Sequence, residues 1–115
     1  MNIDKLHELI VLNKALWHVK FKSSDDDSAF LSNSPITNEL LDRIKKSFIE
    51  EHGITIKDDQ LKLKDHKEIK VLVLKKARSL HNWENFSVDI KKESILTMLY
   101  PYQISEAEIE ELLNL

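Results

Sequence analysis

The sequence contains no cysteine, one glycine and two prolines among its 115 residues. Without cysteine the chain cannot form a disulfide, a cysteine-ligated zinc site or a thiol nucleophile. A phosphate-binding loop and a dinucleotide-binding turn each need several glycines, so the single Gly53 excludes both in their usual forms. A chain without cysteine suits a reducing compartment, and we therefore expect a cytoplasmic protein.

Long hydrophobic runs are also missing. Acidic residues and lysines interrupt the N-terminal stretch MNIDKLHELIVLNKAL, which is not typical of a secretory signal. No apolar run approaches the roughly 20 residues that a membrane-spanning helix needs, so we expect no membrane partner. The length and the 42% of hydrophobic residues predict a single globular domain over residues 1–115.

The net charge of −3 conceals blocks of alternating sign. Residues 23–61 carry nine acidic and four basic side chains, whereas residues 62–92 carry nine basic and four acidic ones. Residues 93–115 carry five acidic side chains and no basic one. Such blocks either pair with one another inside the fold or form separate charged surfaces for partners.

One helix is predicted over residues 35–51. Ser34 is a good N-cap residue, Pro35 suits the first helical position, and Gly53 suits a left-handed C-terminal cap. Apolar residues recur at every fourth position and predict the buried face. They are Ile36, Leu40, Ile44 and Phe48.

Three further helices are predicted closer to the C-terminus. Residues 106–114 follow a capping box of Ser105 and Glu108. Residues 88–99 are typical of a helix that ends before Pro101, with Ile95, Leu96 and Leu99 facing inward. Residues 66–80 favour a helix with a capping box of Asp65 and Glu68, although a buried strand over residues 69–74 remains an alternative.

Two other segments alternate apolar and polar residues as strands do. Residues 17–22, WHVKFK, alternate in this way after an N-terminal helical pattern, so both a strand and a continuation of the helix remain open. Residues 54–64 predict a short hairpin around an Asp58-Asp59 turn. The expected fold class is therefore α+β and helix-rich, with four or five helices and a small antiparallel sheet or hairpin over residues 54–64.

The acidic stretch KSSDDDSAF raises the question of a metal site. If Asp25 is position 1 of a calcium-binding loop, the wrong residue types fill three positions that the motif needs, namely Ala29, Phe30 and Ile36. The stretch then predicts either a solvated connecting loop or a charged surface that captures a basic partner.

No pattern in the sequence indicates catalysis. The five histidines are never four positions apart, which excludes a helical metal-binding pair, and no serine lies in the glycine-flanked turn of a hydrolase. We expect no enzyme activity, no cofactor, no metal and no catalytic residue. An enzyme ranks third among the functions and would need a deep cleft that holds two histidines and a carboxylate.

The basic residues among residues 62–92 indicate a second possible function, which is nucleic-acid binding. Clustered lysines and arginines bind phosphates, so residues 62–92 could serve a nucleic-acid-binding regulator. The candidate phosphate contacts are Lys62, Lys64, Lys67, Lys70, Lys75, Lys76 and Arg78. The acidic total charge and the two arginines make nucleic acid the less favoured partner.

The favoured hypothesis is a small protein-binding module. An example is a bacterial immunity protein or antitoxin that neutralises a basic, nuclease-like toxin by binding it. An acidic surface would complement such a partner, and exposed aromatic residues often anchor interfaces. The predicted partner-binding residues are Asp25, Asp26, Asp27, Phe30 and Trp83.

Overall fold

The computed structural model describes residues 5–55 and 61–114, and it is 76% helical. Within these residues the chain forms six α-helices. In chain order they are α1 (Leu6–Phe21), α2 (Asp26–Ser32), α3 (Pro35–His52), α4 (Lys67–Ser79), α5 (Val88–Leu99) and α6 (Glu106–Leu113). Short 3-10 helices at Leu63–Asp65 and Trp83–Asn85 precede α4 and α5.

The predicted α+β class is wrong, because residues 5–55 and 61–114 contain no strand. The alternating stretch after Leu16 continues α1 as far as Phe21, and the KVLVL run lies within α4. Phe21 and Val73 are buried in one core cluster. Packing against other helices therefore outweighs the local preference of these residues for strands.

The predicted hairpin over residues 54–64 is not found either. Its second arm overlaps the 3-10 helix at Leu63–Asp65, and Leu63 is buried in the core. The Leu63 N–H donates to the Gln103 carbonyl at 3.0 Å, and the Gln103 N–H donates to the Leu61 carbonyl at 2.6 Å. This segment pairs with the residues before α6 rather than with an adjacent strand. Residues 56–60 of the predicted hairpin lie outside the described residues.

Helix α3 confirms the helix that was predicted over residues 35–51 from the residues at its two ends. Pro35 occupies the first helical position, and Gly53 ends the helix with φ 62°. The Ile54 N–H then donates to the Phe48 carbonyl at 2.9 Å, which satisfies a carbonyl of the last turn. Ser34 takes the N-cap position without a side-chain hydrogen bond. Ile36 was predicted to be buried but is exposed.

The starts of the later helices agree only in part with the predictions. Ser105 and Glu108 form the predicted capping box of α6. The N-cap of α4 is His66, which makes no side-chain cap, so the predicted capping box at Asp65 is wrong. In α5, Ile95 and Leu99 face inward as predicted, whereas Leu96 is 38% exposed.

The buried residues form two hydrophobic clusters. The larger one joins the end of α1 to α4, α5 and α6. Its members are Phe21, Leu63, Ile69, Val73, Ala77, Ile95, Met98, Leu99 and Leu112. The smaller one lies between α1 and α3 and contains Leu9, Ile44 and Phe48. The C-terminal end of α1 thus reaches the junction where α2, α3, α4 and α5 meet.

None of the helices in the described ranges combines the length and the apolar character that crossing a membrane requires.

Candidate protein-binding surface

The acidic segment forms the start of α2. The Ser28 N–H donates to the Asp25 carboxylate at 2.7 Å, and the Ser23 hydroxyl donates to it at 3.2 Å. Asp25 is therefore the N-cap residue, and the Ser28 backbone N–H holds the pKa of the Asp25 carboxyl below its usual value. Of the two interpretations of this stretch, the solvated connecting loop is wrong for residues 26–32, because they form α2. The charged surface that captures a partner stays a prediction. All three aspartates are exposed, and Asp26 and Asp27 lie within the first turn of α2.

Three exposed apolar side chains accompany these two carboxylates. Phe30 is 73% exposed and Leu31 is 42% exposed in the last turn of α2, and Ile36 is 66% exposed in the first turn of α3. Phe30 follows Asp26 by four positions and Asp27 by three, so the three side chains share one face of the helix. We call the surface of these five residues the acidic-apolar corner.

A two-residue connection holds the α2 and α3 parts of this corner together. The Asn33 N–H donates to the Ala29 carbonyl at 3.2 Å, and the Ser34 N–H donates to the Leu31 carbonyl at 3.3 Å. Pro35 then starts α3 at once. Because the connection is short and hydrogen-bonded, Ile36 stays close to the end of α2.

The inner side of α2 is attached to the fold by a buried lysine. The Lys76 ammonium donates to the Val19 carbonyl at 2.6 Å, to the Lys20 carbonyl at 2.8 Å and to the Ser32 hydroxyl at 2.9 Å. These carbonyls lie at the C-terminal end of α1, where the helix dipole favours a cation. Burial lowers the pKa of Lys76 to about 8, although the Asp25 carboxylate acts in the opposite direction.

A second buried lysine joins α1 to α3 and α5. The Lys20 ammonium donates to the Asn38 side-chain oxygen and, at 3.0 Å, to the Thr97 carbonyl. The Asn38 amide also donates to the Thr97 carbonyl at 3.0 Å. The aromatic rings of Phe21 and Tyr100 lie 5.6 and 5.8 Å from the Lys20 ammonium. The Lys20 side chain is fully buried by these neighbours.

The charge of Lys20 is poorly compensated. Its hydrogen bonds within the described residues go to an amide and a backbone carbonyl, neither of which carries a full negative charge. Burial, and then the neighbouring Lys76 ammonium, lower the pKa of Lys20 to about 7. This cation therefore titrates near neutral pH, whereas an exposed lysine stays charged.

The structure buries one of the predicted phosphate contacts and pairs another with an acidic residue. Lys76 is fully buried, so it cannot contact a nucleic acid, and Lys70 pairs with Glu111 on α6 at 2.7 Å. Lys67 and Lys75 are both exposed and lie eight positions apart on one face of α4. The other exposed members of the predicted set are Lys62, Lys64 and Arg78.

Trp83 is not an exposed anchor. It is half-buried and packs against the larger core cluster. Its ring centroid lies 5.9 Å from that of Phe86, and the Lys91 ammonium lies 5.4 Å from it. A role for Trp83 in partner binding stays a prediction.

A groove of about 410 Å³ opens between α1, α3 and the residues after α5. Its walls are mostly apolar, and the Tyr100 hydroxyl at its edge donates to the Asp42 carboxylate. No histidine is among the described residues that line it. This groove is therefore not the histidine-containing cleft that the enzyme hypothesis requires.

No protein-family model, curated protein or solved structure matches this chain.

The spacing of apolar residues in α1 and α4 indicates that two lysines lie on buried helix faces. Lys76 lies three positions after Val73 and seven after Ile69, on the buried face of α4. Lys20 likewise follows Leu16 by four positions in α1. A lysine on an apolar helix face is usually assigned to the surface, because this residue type is rarely buried.

Proposed function

We propose that this chain is a protein-binding module that docks a basic protein through the acidic-apolar corner. The observation that carries the proposal is the exposure of Phe30, at 73%, on the same helix face as Asp26 and Asp27. A large aromatic side chain that is left in water gains free energy when a partner covers it. Such residues supply much of the binding energy at protein interfaces.

The charge of the corner favours a basic partner over a second copy of the chain. Two copies would bring Asp26 and Asp27 of each corner against those of the other, and like charges at an interface oppose association. Lysines and arginines that surround an apolar pocket on a partner would instead pair with these carboxylates. They would also accelerate its capture at low salt.

A cytoplasmic inhibitor is the specific role that we propose. A nuclease must present a basic surface to its nucleic acid, and an acidic protein that covers this surface blocks the substrate. An immunity protein or antitoxin acts in this way. The support is the exposed pair of carboxylates beside Phe30, which would complement the basic surface of a nuclease-like toxin.

Site-specific crosslinking in the source cell tests the proposal. A photo-reactive phenylalanine analogue replaces Phe30, and the matched control replaces Val88, which is 67% exposed on α5. We expect a basic protein to crosslink from position 30 and not from position 88. The captured protein is then purified and its affinity for the F30A variant is measured. A loss of at least about tenfold supports the proposal, because burying an aromatic anchor contributes more than 1.4 kcal/mol.

Two results would overturn the proposal. One is the absence of any crosslinked protein specific to position 30. The other is an affinity of the captured protein that F30A leaves unchanged. The D26N/D27N variant separates the roles of charge and apolar contact, since we expect it to slow association mainly at low salt.

Nucleic-acid binding is the second candidate, and the shared face of Lys67 and Lys75 favours it. Binding of generic duplex DNA that weakens steeply with salt and is lost in K67Q/K75Q would support this alternative. The K70Q variant is a matched control, because Lys70 already pairs with Glu111.

A further inference from the structure

The groove between α1, α3 and the residues after α5 has the size of a ligand pocket. Its volume of about 410 Å³ lies within the range of roughly 300–1,000 Å³ that is typical of pockets for small molecules. Protein interiors are otherwise close-packed, so a space of this size beside core side chains is not explained by the packing of the fold. A mostly apolar pocket that a few polar groups border is the usual form of a binding site.

The periodicity of the two helices aligns the long walls of the groove. Ile10, Asn13 and Trp17 lie three and four positions apart on one face of α1. Leu41 and Phe48 lie seven positions apart on α3 and are buried, so they form the bottom of the groove. Seven helical residues span about 10 Å, so the groove can hold a small chain or ring system of that length.

The rim of the groove favours an apolar ligand body. Ile10 and Ile54 line it and are each 38% exposed. Leu61 and Pro101 add further apolar surface to the lining, beside the ring of Tyr100. Removing such surface from water is favourable, so a ligand with an apolar body would gain free energy by covering it.

Polar groups border this apolar space. Asp42 and Lys45 line both the groove and a shallow depression on the outer side of α3, so they lie at the boundary between the two. The Tyr100 hydroxyl donates to the Asp42 carboxylate, and Asn13 adds an amide from α1. Asp42 supplies hydrogen-bond acceptors, Lys45 supplies donors and Asn13 supplies both.

The charges of this border oppose each other. Among the described residues that line the groove, Asp42 carries the negative charge and Lys45 the positive one. They lie three positions apart on α3 and therefore share one helix face. An anionic ligand would meet Asp42, a cationic ligand would meet Lys45, and like charges oppose association. A neutral head group that both donates and accepts hydrogen bonds can pair with both side chains.

We propose that this groove binds a small uncharged molecule, with an apolar body against Leu41 and Phe48 and a hydroxyl or primary amide head group beside Asn13, Asp42 and Lys45. The described residues that line the groove include none of the acidic-apolar corner. The site is therefore independent of the proposed function, and either can fail without the other.

Three eight-carbon probes that differ in head-group charge test the proposal at pH 7, namely octan-1-ol, octanoate and octylammonium. The indole N–H signals of the wild-type chain report binding in a two-dimensional NMR titration. Trp17 lines the groove, whereas Trp83 is not among the residues that line it and serves as the internal control. Octan-1-ol should shift the Trp17 signal to saturation and leave the Trp83 signal in place. The two charged probes should bind at least about fivefold more weakly.

The wild-type titration can overturn the proposal without any variant. A Trp17 signal that does not respond to octan-1-ol would show that the groove is not a site for such molecules. Equal or tighter binding of either charged probe would contradict the neutral head group.

Two neighbouring substitutions on α1 locate the site. Ile10 lines the groove, whereas Val11 is exposed and is not among the residues that line it. I10D should weaken octan-1-ol binding at least about tenfold, because it places a carboxylate in the apolar space, and V11D should stay within about twofold of the wild type. If I10D does not fold, I54D replaces it. Equal affinities of the groove variant and V11D would contradict the site.

The D42N variant tests the charge balance at the border. Asparagine still accepts a hydrogen bond from the Tyr100 hydroxyl, but the described lining residues then carry a positive net charge from Lys45. Octanoate should bind D42N at least about threefold more tightly than the wild type. An unchanged octanoate affinity would contradict the placement of the head group beside Asp42 and Lys45.

Discussion

The Lys76 ammonium donates a hydrogen bond to the backbone carbonyl of Lys20 at 2.8 Å, and both lysine side chains are fully buried. One polar contact thus connects α1 with α4, and the same ammonium reaches Ser32 of α2. The acidic-apolar corner depends on this contact, because α2 has seven residues and a helix of that length needs tertiary contacts to be stable.

The first prediction concerns the contribution of Lys76 to stability. Methionine at this position keeps much of the side-chain volume but removes the donor to the Lys20 carbonyl and to the Ser32 hydroxyl, whereas the Val19 carbonyl keeps the Ser32 hydroxyl as a donor at 3.3 Å. We expect K76M to lower the free energy of unfolding by about 3 kcal/mol. Urea denaturation measures the loss, and K75M at the exposed neighbouring position should change it by less than about 0.5 kcal/mol. Equal stability of K76M and K75M would show that the contact is not stabilising.

The second prediction separates Asp25 from its two acidic neighbours. D25A removes the acceptor of the Ser28 N–H and should lower the melting temperature by on the order of 5 °C. D25N should melt close to the wild type, because asparagine is an equally good N-cap residue. D26N/D27N should also melt close to the wild type. The prediction fails if D25N loses as much thermal stability as D25A.

The lowered pKa of Asp25 adds a pH dependence to this cap. The folded carboxyl binds its proton less readily than the unfolded one, because the Ser28 N–H favours the ionised form. The stabilisation is therefore present at neutral pH and is lost in acid, as the pH falls through the lowered pKa. In thermal melts at decreasing pH, the difference between wild type and D25A should shrink only in the acidic range.

The third prediction tests whether the Phe30 side chain contributes to the stability of the fold. F30A should change the free energy of unfolding by less than about 0.5 kcal/mol, because the ring is 73% exposed. F48A, which opens a cavity in the core between α1 and α3, should lower the free energy of unfolding by about 4 kcal/mol. Urea denaturation of both variants makes the comparison. A loss above about 1.5 kcal/mol in F30A would mean that the ring serves the fold rather than a partner.

The sequence correctly predicts those parts of the fold that depend on residues close together in the chain. The ends of α3 follow from Pro35 and Gly53, and the start of α6 follows from Ser105, because caps act within one turn of the chain. The predicted hairpin is wrong for a different reason, and the same reason explains why residues 17–22, which the pattern left open between helix and strand, continue α1. Their alternation is a weak local preference, and the helical core that buries Phe21 and Leu63 is formed by distant residues.

The sequence predicts which residue types form the candidate site, but not the helix that carries them or the buried contacts that hold this helix in place. The sequence indicates Asp26, Asp27 and Phe30 as a charged and aromatic group, and the structure places all three on an exposed face. The sequence does not predict helix α2, because seven residues are too few to show a clear helical spacing of apolar residues. The buried states of Lys20 and Lys76 depend on carbonyls and an amide that are 18–77 positions away, and no local pattern reveals such partners.

The last prediction adds a carboxylate beside Lys20. N38D replaces the amide that accepts from the Lys20 ammonium with a negative charge, which should raise the pKa of Lys20 towards its unfolded value. The wild type should gain stability between pH 7 and pH 9, because Lys20 and Lys76 release protons on folding in this range. N38D should gain less than half as much. Urea denaturation at both pH values gives the comparison, and N38A is the control, since it removes the hydrogen bonds without adding charge. If N38D and N38A gain equally, the charge on Lys20 does not cause the pH dependence.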